Sequence, residues 1–201
     1  MKSCSTLPGG YTPIYRIDLQ KDKKLALLVN GAAILIILAM LFAASRIVPL
    51  ETMWSSGDLS TLSLKLFALA AGLIAYIVLH EVVHAVMMRR FCTAKVHFGL
   101  TGLYAYAGSN GYYCKQHYII IALAPVVFWG VVLTAACVLV PRSWFYIVYF
   151  IQMCNISGAV GDYYVAWKIP RLGRDVLVQD TGTAMTVFGR CAEEEIHGTE
   201  I

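Results

Sequence analysis

The sequence predicts an all-α transmembrane fold: a four-helix multi-pass bundle with a short cytosolic β-hairpin between spans two and three and a small cytosolic C-terminal tail. Three observations predict it. Of 201 residues, 59% are apolar and only 14% charged, whereas a soluble domain carries about a quarter charged residues. The apolar residues gather into four stretches near the ~20 residues that cross ~30 Å of hydrocarbon. The 16 Lys and Arg outnumber 12 Asp and Glu, for a net charge of +4. They lie in short clusters, the pattern of membrane-orientation signals and not of a nucleic-acid-binding stripe. The composition also excludes disordered, collagen-like and disulfide-scaffold chains, and the length suits one integral membrane domain over residues 1–201.

Span one, residues 25–45, is free of charge. It is longer than a signal-peptide core, and Arg46 and Pro49 follow without a small-residue cleavage site, so it reads as a retained anchor. Span two, residues 66–88, is interrupted by His80, Glu81 and His84. Residues 94–106 then mix β-branched and aromatic side chains with Gly99 and Gly102, the signature of a short hairpin on the cytosolic face. Span three, residues 118–140, is uncharged and contains Pro125, read as a kink or a packing feature. Span four, residues 144–167, carries Asn155 and Asp162. The tail from Asp175 to Phe188 reads as one or two short strands around a turn at Thr181 and Gly182, with Asp175 and Asp180 as turn or capping residues and Glu193 to Glu195 as a solvated end. Trp54, Tyr118, Trp144 and Trp167, near the span ends, fit an interfacial belt. Six cysteines without a C-x-x-C pair are read as mostly reduced.

Thirteen Lys and Arg fall on the side of the two termini and the middle connection, against Arg46, Lys65 and Arg142 on the other. The positive-inside rule therefore places both termini and that connection in the cytosol. Spans two and four then run parallel.

The chemistry concentrates in H-E-V-V-H, His80 to His84. On a helix the two histidines project from one face, one turn apart, which suits two imidazole nitrogens on one Zn2+; Glu81 stands about 100° round, placed to take a proton from water. A charged residue at mid-span costs about 2.5–3.5 kcal/mol on insertion scales, so three ionisable groups within five positions call for a function. A catalytic zinc site needs a third protein ligand. Asp162 is the other ionisable residue within a span, and its depth, ~9 Å from the cytosolic edge, matches ~8 and ~14 Å for His84 and His80. His97 and His117 lie in the connection and His197 near the C-terminus, and all three read as loop residues. Asn155 shares a helical face with Asp162; it could bond Asp162 or a histidine, polarise a substrate carbonyl in a catalytic role, or simply join helices.

The pairing of H-E-V-V-H with N-I-S-G-A-V-G-D, Asn155 to Asp162, in a later span resembles the intramembrane zinc metalloproteases of the site-2 protease class. It is most similar to a family of small four-span zincin-like membrane peptidases, a likeness that extends to V-H-F-G (Val96 to Gly99) and A-L-A-P (Ala122 to Pro125). The resemblance implies His80, His84 and Asp162 as zinc ligands, Glu81 as general base, and a membrane-spanning or membrane-adjacent protein segment as substrate. The sequence departs from the L-D-G of the site-2 class, with Gly161 before and Tyr163 after the aspartate and no proline between Asn155 and Asp162.

The expectation is thus a zinc-dependent intramembrane metallopeptidase of the cell membrane, with its site in the cytosolic half of the bilayer and membrane proteins as partners. Residues 95–106 are a candidate strand edge for holding substrate extended, or a simple cap over the helix ends. A non-catalytic zinc-binding scaffold or escort protein is the alternative. A metal or proton transporter fits less well, because the outer halves of spans one to three carry no charge.

Overall fold

The computed structural model describes residues 2–18, 21–54, 58–101, 104–173 and 175–190. Gly102, Arg174, Cys191, Glu193 to Glu195 and His197 lie outside the described residues. Helix α1 (Lys23–Ser45) is capped by Asp22, whose carboxylate accepts the N–H groups of Lys24 and Leu25 at 3.1 and 3.0 Å. Asp58 caps α2 (Leu59–Phe91) through the Ser60 N–H at 3.3 Å. Such oxygens satisfy amides that the first helical turn leaves open. Helix α3 spans Lys115–Leu139. Helices α4 (Phe145–Gly158) and α5 (Val160–Lys168) form one run broken at Ala159, which has φ −82° and ψ 10°. The first three helices and the run Arg142–Arg171 are long and apolar enough to cross a membrane. Helix α2 packs on α3 and α4, and α1 on α4 and α5. Gly72 allows the approach of α2 to α4, since a Cβ there would lie 2.7 Å from Cδ1 of Ile151.

The all-α class is overturned. Among the described residues, six strands form two antiparallel sheets. One is the hairpin of β2 (Val96–Leu100) and β3 (Ala105–Ser109), in register from Val96 opposite Ser109 to Leu100 opposite Ala105. The other has the order β1-β6-β5-β4 and joins β1 (Tyr11–Ile17), β4 (Tyr113–Cys114), β5 (Val176–Asp180) and β6 (Met185–Arg190). Strands this short carry few alternations for a period of two to register. Strand β1 hides further, because it contains Pro13 and a bulge between Pro13 and Tyr15, and its partner β6 comes from the far end of the chain. The hairpin also departs from a cap over the helix ends. The Ala107 N–H of β3 donates to Glu81 of α2, which on the helix rise is ~15 Å back from Phe91, so the hairpin runs back alongside α2.

One core cluster fastens the larger sheet to the bundle, with Val178 and Val187 of the sheet in the same buried group as Met88, Tyr118 and Ile121 of the helices. At the opposite end Ala44, Val48 and Tyr146 form a second cluster. There the Tyr146 hydroxyl donates to the Val48 carbonyl at 2.5 Å, and buried Lys65 donates to the Met53 carbonyl at 2.9 Å. The two sheets meet at Tyr106, which crosses opposite Gly99 and presses on Gly182 of the β5–β6 turn. A Cβ on Gly182 would stand 2.0 Å from the Tyr106 ring, and the residue has φ +81°.

Gly182→Ala is expected to lower stability in detergent by about 2–4 kcal/mol, combining a left-handed backbone with an overpacked contact. Gly10 has φ +78° but nothing within 4 Å of its position for a Cβ, so Gly10→Ala should cost only about 1–2 kcal/mol. Equal losses in denaturant unfolding would refute the Tyr106 contact.

Candidate metal centre

Helix α2 projects His80 and His84 from one face with ring centroids 5.0 Å apart. The break at Ala159 starts α5 afresh and places Asp162 in its first turn. His80 Nε2 lies 3.9 Å from Asp162 Oδ2, and His84 Nε2 lies 3.9 Å from Asp162 Oδ1. One ligand atom from each residue falls within 4.8 Å of the others, and among the described residues this is the one such group of His, Cys, Asp or Glu.

The donor set fits a zinc ion. Separations of 3.9 Å are too long for hydrogen bonds. They are near the ~3.4 Å between two ligands held at about 2.0–2.1 Å in a tetrahedron. The far nitrogen of each imidazole is already engaged. His84 Nδ1 donates to the Ile121 carbonyl at 2.9 Å; a carbonyl only accepts, so Nδ1 carries the proton and Nε2 keeps its lone pair. His80 Nδ1 lies 2.9 Å from the Tyr76 hydroxyl, which donates to Asn155 Oδ1 at 3.2 Å. Having spent its proton there, the hydroxyl accepts from His80 Nδ1–H, which leaves His80 Nε2 as a lone pair too. The Asn155 amide is oriented in turn. Its Nδ2 donates to the Val126 carbonyl at 3.2 Å and to Gln152 Oε1 at 3.3 Å, and Gln152 Nε2 is itself held by the Gly130 carbonyl at 3.2 Å.

The three residues and Glu81 line a cavity of about 920 Å³ between the helices and both sheets. Glu81 Oε2 accepts the Ala107 N–H at 2.7 Å. Ala107 therefore turns its amide away from β2, and the free edge of β3 faces the cavity. Asn155 is fully buried and does not line it. It reaches the site through Tyr76, and no face of it is open to a substrate carbonyl.

Of the other histidines, His97 sits in β2 opposite Gly108, and His117 accepts or donates at 2.8 Å with Ser3 and stacks on Phe91 at 4.1 Å. Neither joins the group. Asp180 is more than a turn residue. It accepts the Gly182 N–H at 2.7 Å and the Tyr118 hydroxyl, and it lines the cavity. Burial raises its carboxyl above the usual carboxylate range. Tyr118 is accordingly buried in the core and does not belong to an interfacial belt, whereas Trp54 and Trp167 are exposed. Cys4, Cys92, Cys114, Cys137 and Cys154 are free thiols. Tyr76 and Pro125, which prove central, left signals in the sequence. Tyr76 is one helical turn before His80, and a proline frees the carbonyl four residues earlier.

Two imidazoles and a carboxylate converge beside a glutamate at one cavity, a donor set suited to a metal ion. Residues 73–177 match the family described as "Putative zincin peptidase", and the chain belongs to that family. The matched segment contains His80, Glu81, His84, Pro125 and Asp162, and the family name implies zinc. No curated protein and no solved structure matches the chain.

Asn155→Leu should strip partners from the Tyr76 hydroxyl, the Gln152 amide and the Val126 carbonyl at once, lowering stability by about 1–3 kcal/mol. Unfolding in detergent at the wild-type midpoint would show that the amide does not hold the helices.

Proposed function

We propose that this protein is an integral membrane zinc metallopeptidase of the cell membrane that hydrolyses peptide bonds in membrane-spanning or membrane-adjacent protein segments. The observation that carries the reading is the convergence of His80, His84 and Asp162 on one point, with Glu81 in the same cavity. His80, His84 and Asp162 would hold the ion, which when bound would supply Lewis acidity to lower the pKa of water and polarise a carbonyl. Glu81 takes the proton of the attacking water and delivers it to the departing amide nitrogen.

A peptide bond within a helix is sterically guarded and its carbonyl already bonded, so the substrate has to be extended first. The free edge of β3 supports this step. Antiparallel alternation places outward main-chain groups of Ala105 on the same edge as those of Ala107, and both alanines line the cavity. The larger sheet joins β1, β4, β5 and β6. The basic clusters on the side of the two termini support an orientation with both termini in the cytosol and the site in the cytosolic half of the bilayer. The likeness to the site-2 protease class belongs to this same proposal.

Elemental analysis of detergent-purified protein should find about one zinc per chain, kept in Glu81→Gln and lost in His80→Ala and Asp162→Ala. Co-reconstituted with a panel of single-span reporter proteins, the wild type should cleave at least one, and Glu81→Gln should cleave it at least ~10²-fold more slowly. A zinc-free wild type after attempted reloading would sink the metallopeptidase. Equal cleavage by Glu81→Gln would remove Glu81 as the base.

A further inference from the structure

Helix α3 contains Pro125. In a regular helix the N–H at this position would bond the carbonyl of Ile121, but proline has none, and its ring crowds that same carbonyl. The freed acceptor is the one that takes His84 Nδ1–H at 2.9 Å. Pro125 and Ile121 are both almost fully buried, so the vacancy is taken up inside the protein.

We propose that Pro125 is a positioning residue for the metal centre. By withholding an amide hydrogen it leaves the Ile121 carbonyl to His84, fixing that imidazole as the Nδ1–H tautomer with its Nε2 lone pair towards Asp162. Tyr76 performs the matching task for His80, relayed from Asn155. The two ligands on α2 are thus oriented by two separate devices, a missing amide hydrogen in α3 and a hydroxyl relay from α4. The purpose of the lone pairs rests on the zinc reading above, but the tautomers belong to the chain and exist without metal.

The test uses the full-length protein in detergent, stripped of metal and labelled with 15N-histidine, as wild type, Pro125→Ala and Tyr76→Phe. Imidazole nitrogen signals give the tautomers, and competition titration gives the zinc affinity. Wild-type His80 and His84 should both show the Nδ1–H form. Pro125→Ala should shift the His84 signals towards a mixture of tautomers, leave those of His80 in place, and weaken zinc binding about 10–100-fold. Tyr76→Phe should move the His80 signals and spare those of His84. Wild-type His84 signals in Pro125→Ala would overturn the proposal, whatever happens to its stability. So would a wild-type His84 found as the Nε2–H tautomer, a result that needs no variant. A wild type that binds no zinc but shows this crossed pattern of signals would remove the metallopeptidase reading and leave the role of Pro125 standing.

Discussion

Polar atoms set between apolar helices persist only where each one that does not face the cavity already has a partner within the protein. That constraint organises this chain. Helix α2 carries two imidazoles and a carboxylate, and all three are bonded: His84 to the Ile121 carbonyl of α3, His80 to Tyr76 one turn earlier on α2, and Glu81 to the Ala107 N–H of β3. The His80 bond leads outward to others. Tyr76 leads to Asn155, and Asn155 to Gln152 and the Val126 carbonyl. Among the described residues, Trp129 Nε1 is the one buried side-chain nitrogen or oxygen with no partner. A network so fully satisfied holds its members in fixed orientations, since any rotation would strand a buried donor or acceptor.

The sheets serve the same site for a different reason. Helices use their main-chain groups internally, so a cavity walled only by helices has side chains alone to offer. A strand paired on one side keeps a row of amides and carbonyls on the other. Strand β3 brings such a row to Glu81, and the β5–β6 turn closes the wall behind it, with Tyr106 seated against Gly99 and Gly182. Hydrolysis of an extended peptide segment, as proposed above, needs both kinds of wall. The helices fix the ligands, and the strand supplies a template for main-chain pairing.

What was legible in the sequence follows the range of each interaction. H-E-V-V-H is local, and its geometry depends only on the helical period, so its placement could be read directly. Asp162 could be matched to it because depth in a bilayer turns charge clusters at span ends into a coordinate along each helix. The hairpin and the tail strands showed in β-branched and glycine patterning. The mixed fold class did not, because the larger sheet depends on pairing β1 with β6 and β4 with β5, contacts between distant segments that no local period encodes. Asp180 was read only as a turn or capping residue for a related reason, because its place in the cavity wall depends on what the fold sets opposite it. Tyr76 was passed over although it stands one helical turn before His80; its second bond, to Asn155, depends on the fold. Asn155 was singled out as a polar residue in a span, but its link to His80 through Tyr76 depends on the fold.

Two departures from regular helix geometry lie beside the candidate metal centre. Ala159 interrupts the fourth helical run three residues before Asp162, and Pro125 interrupts the hydrogen bonding of α3 at the carbonyl that holds His84. Each irregularity releases main-chain groups that a continuous helix would have consumed. At Pro125 the released group is an acceptor, and an imidazole donor takes it. At Ala159 the new helix start places Asp162 in the first turn of α5, where the helix dipole favours a carboxylate. A donor side chain thus meets a freed carbonyl, and an acidic side chain meets a freed helix N-terminus. The polarity of each break matches the side chain beside it, a donor imidazole at Pro125 and a carboxylate at Ala159, and an apolar bundle can in this way bring two imidazoles and a carboxylate together.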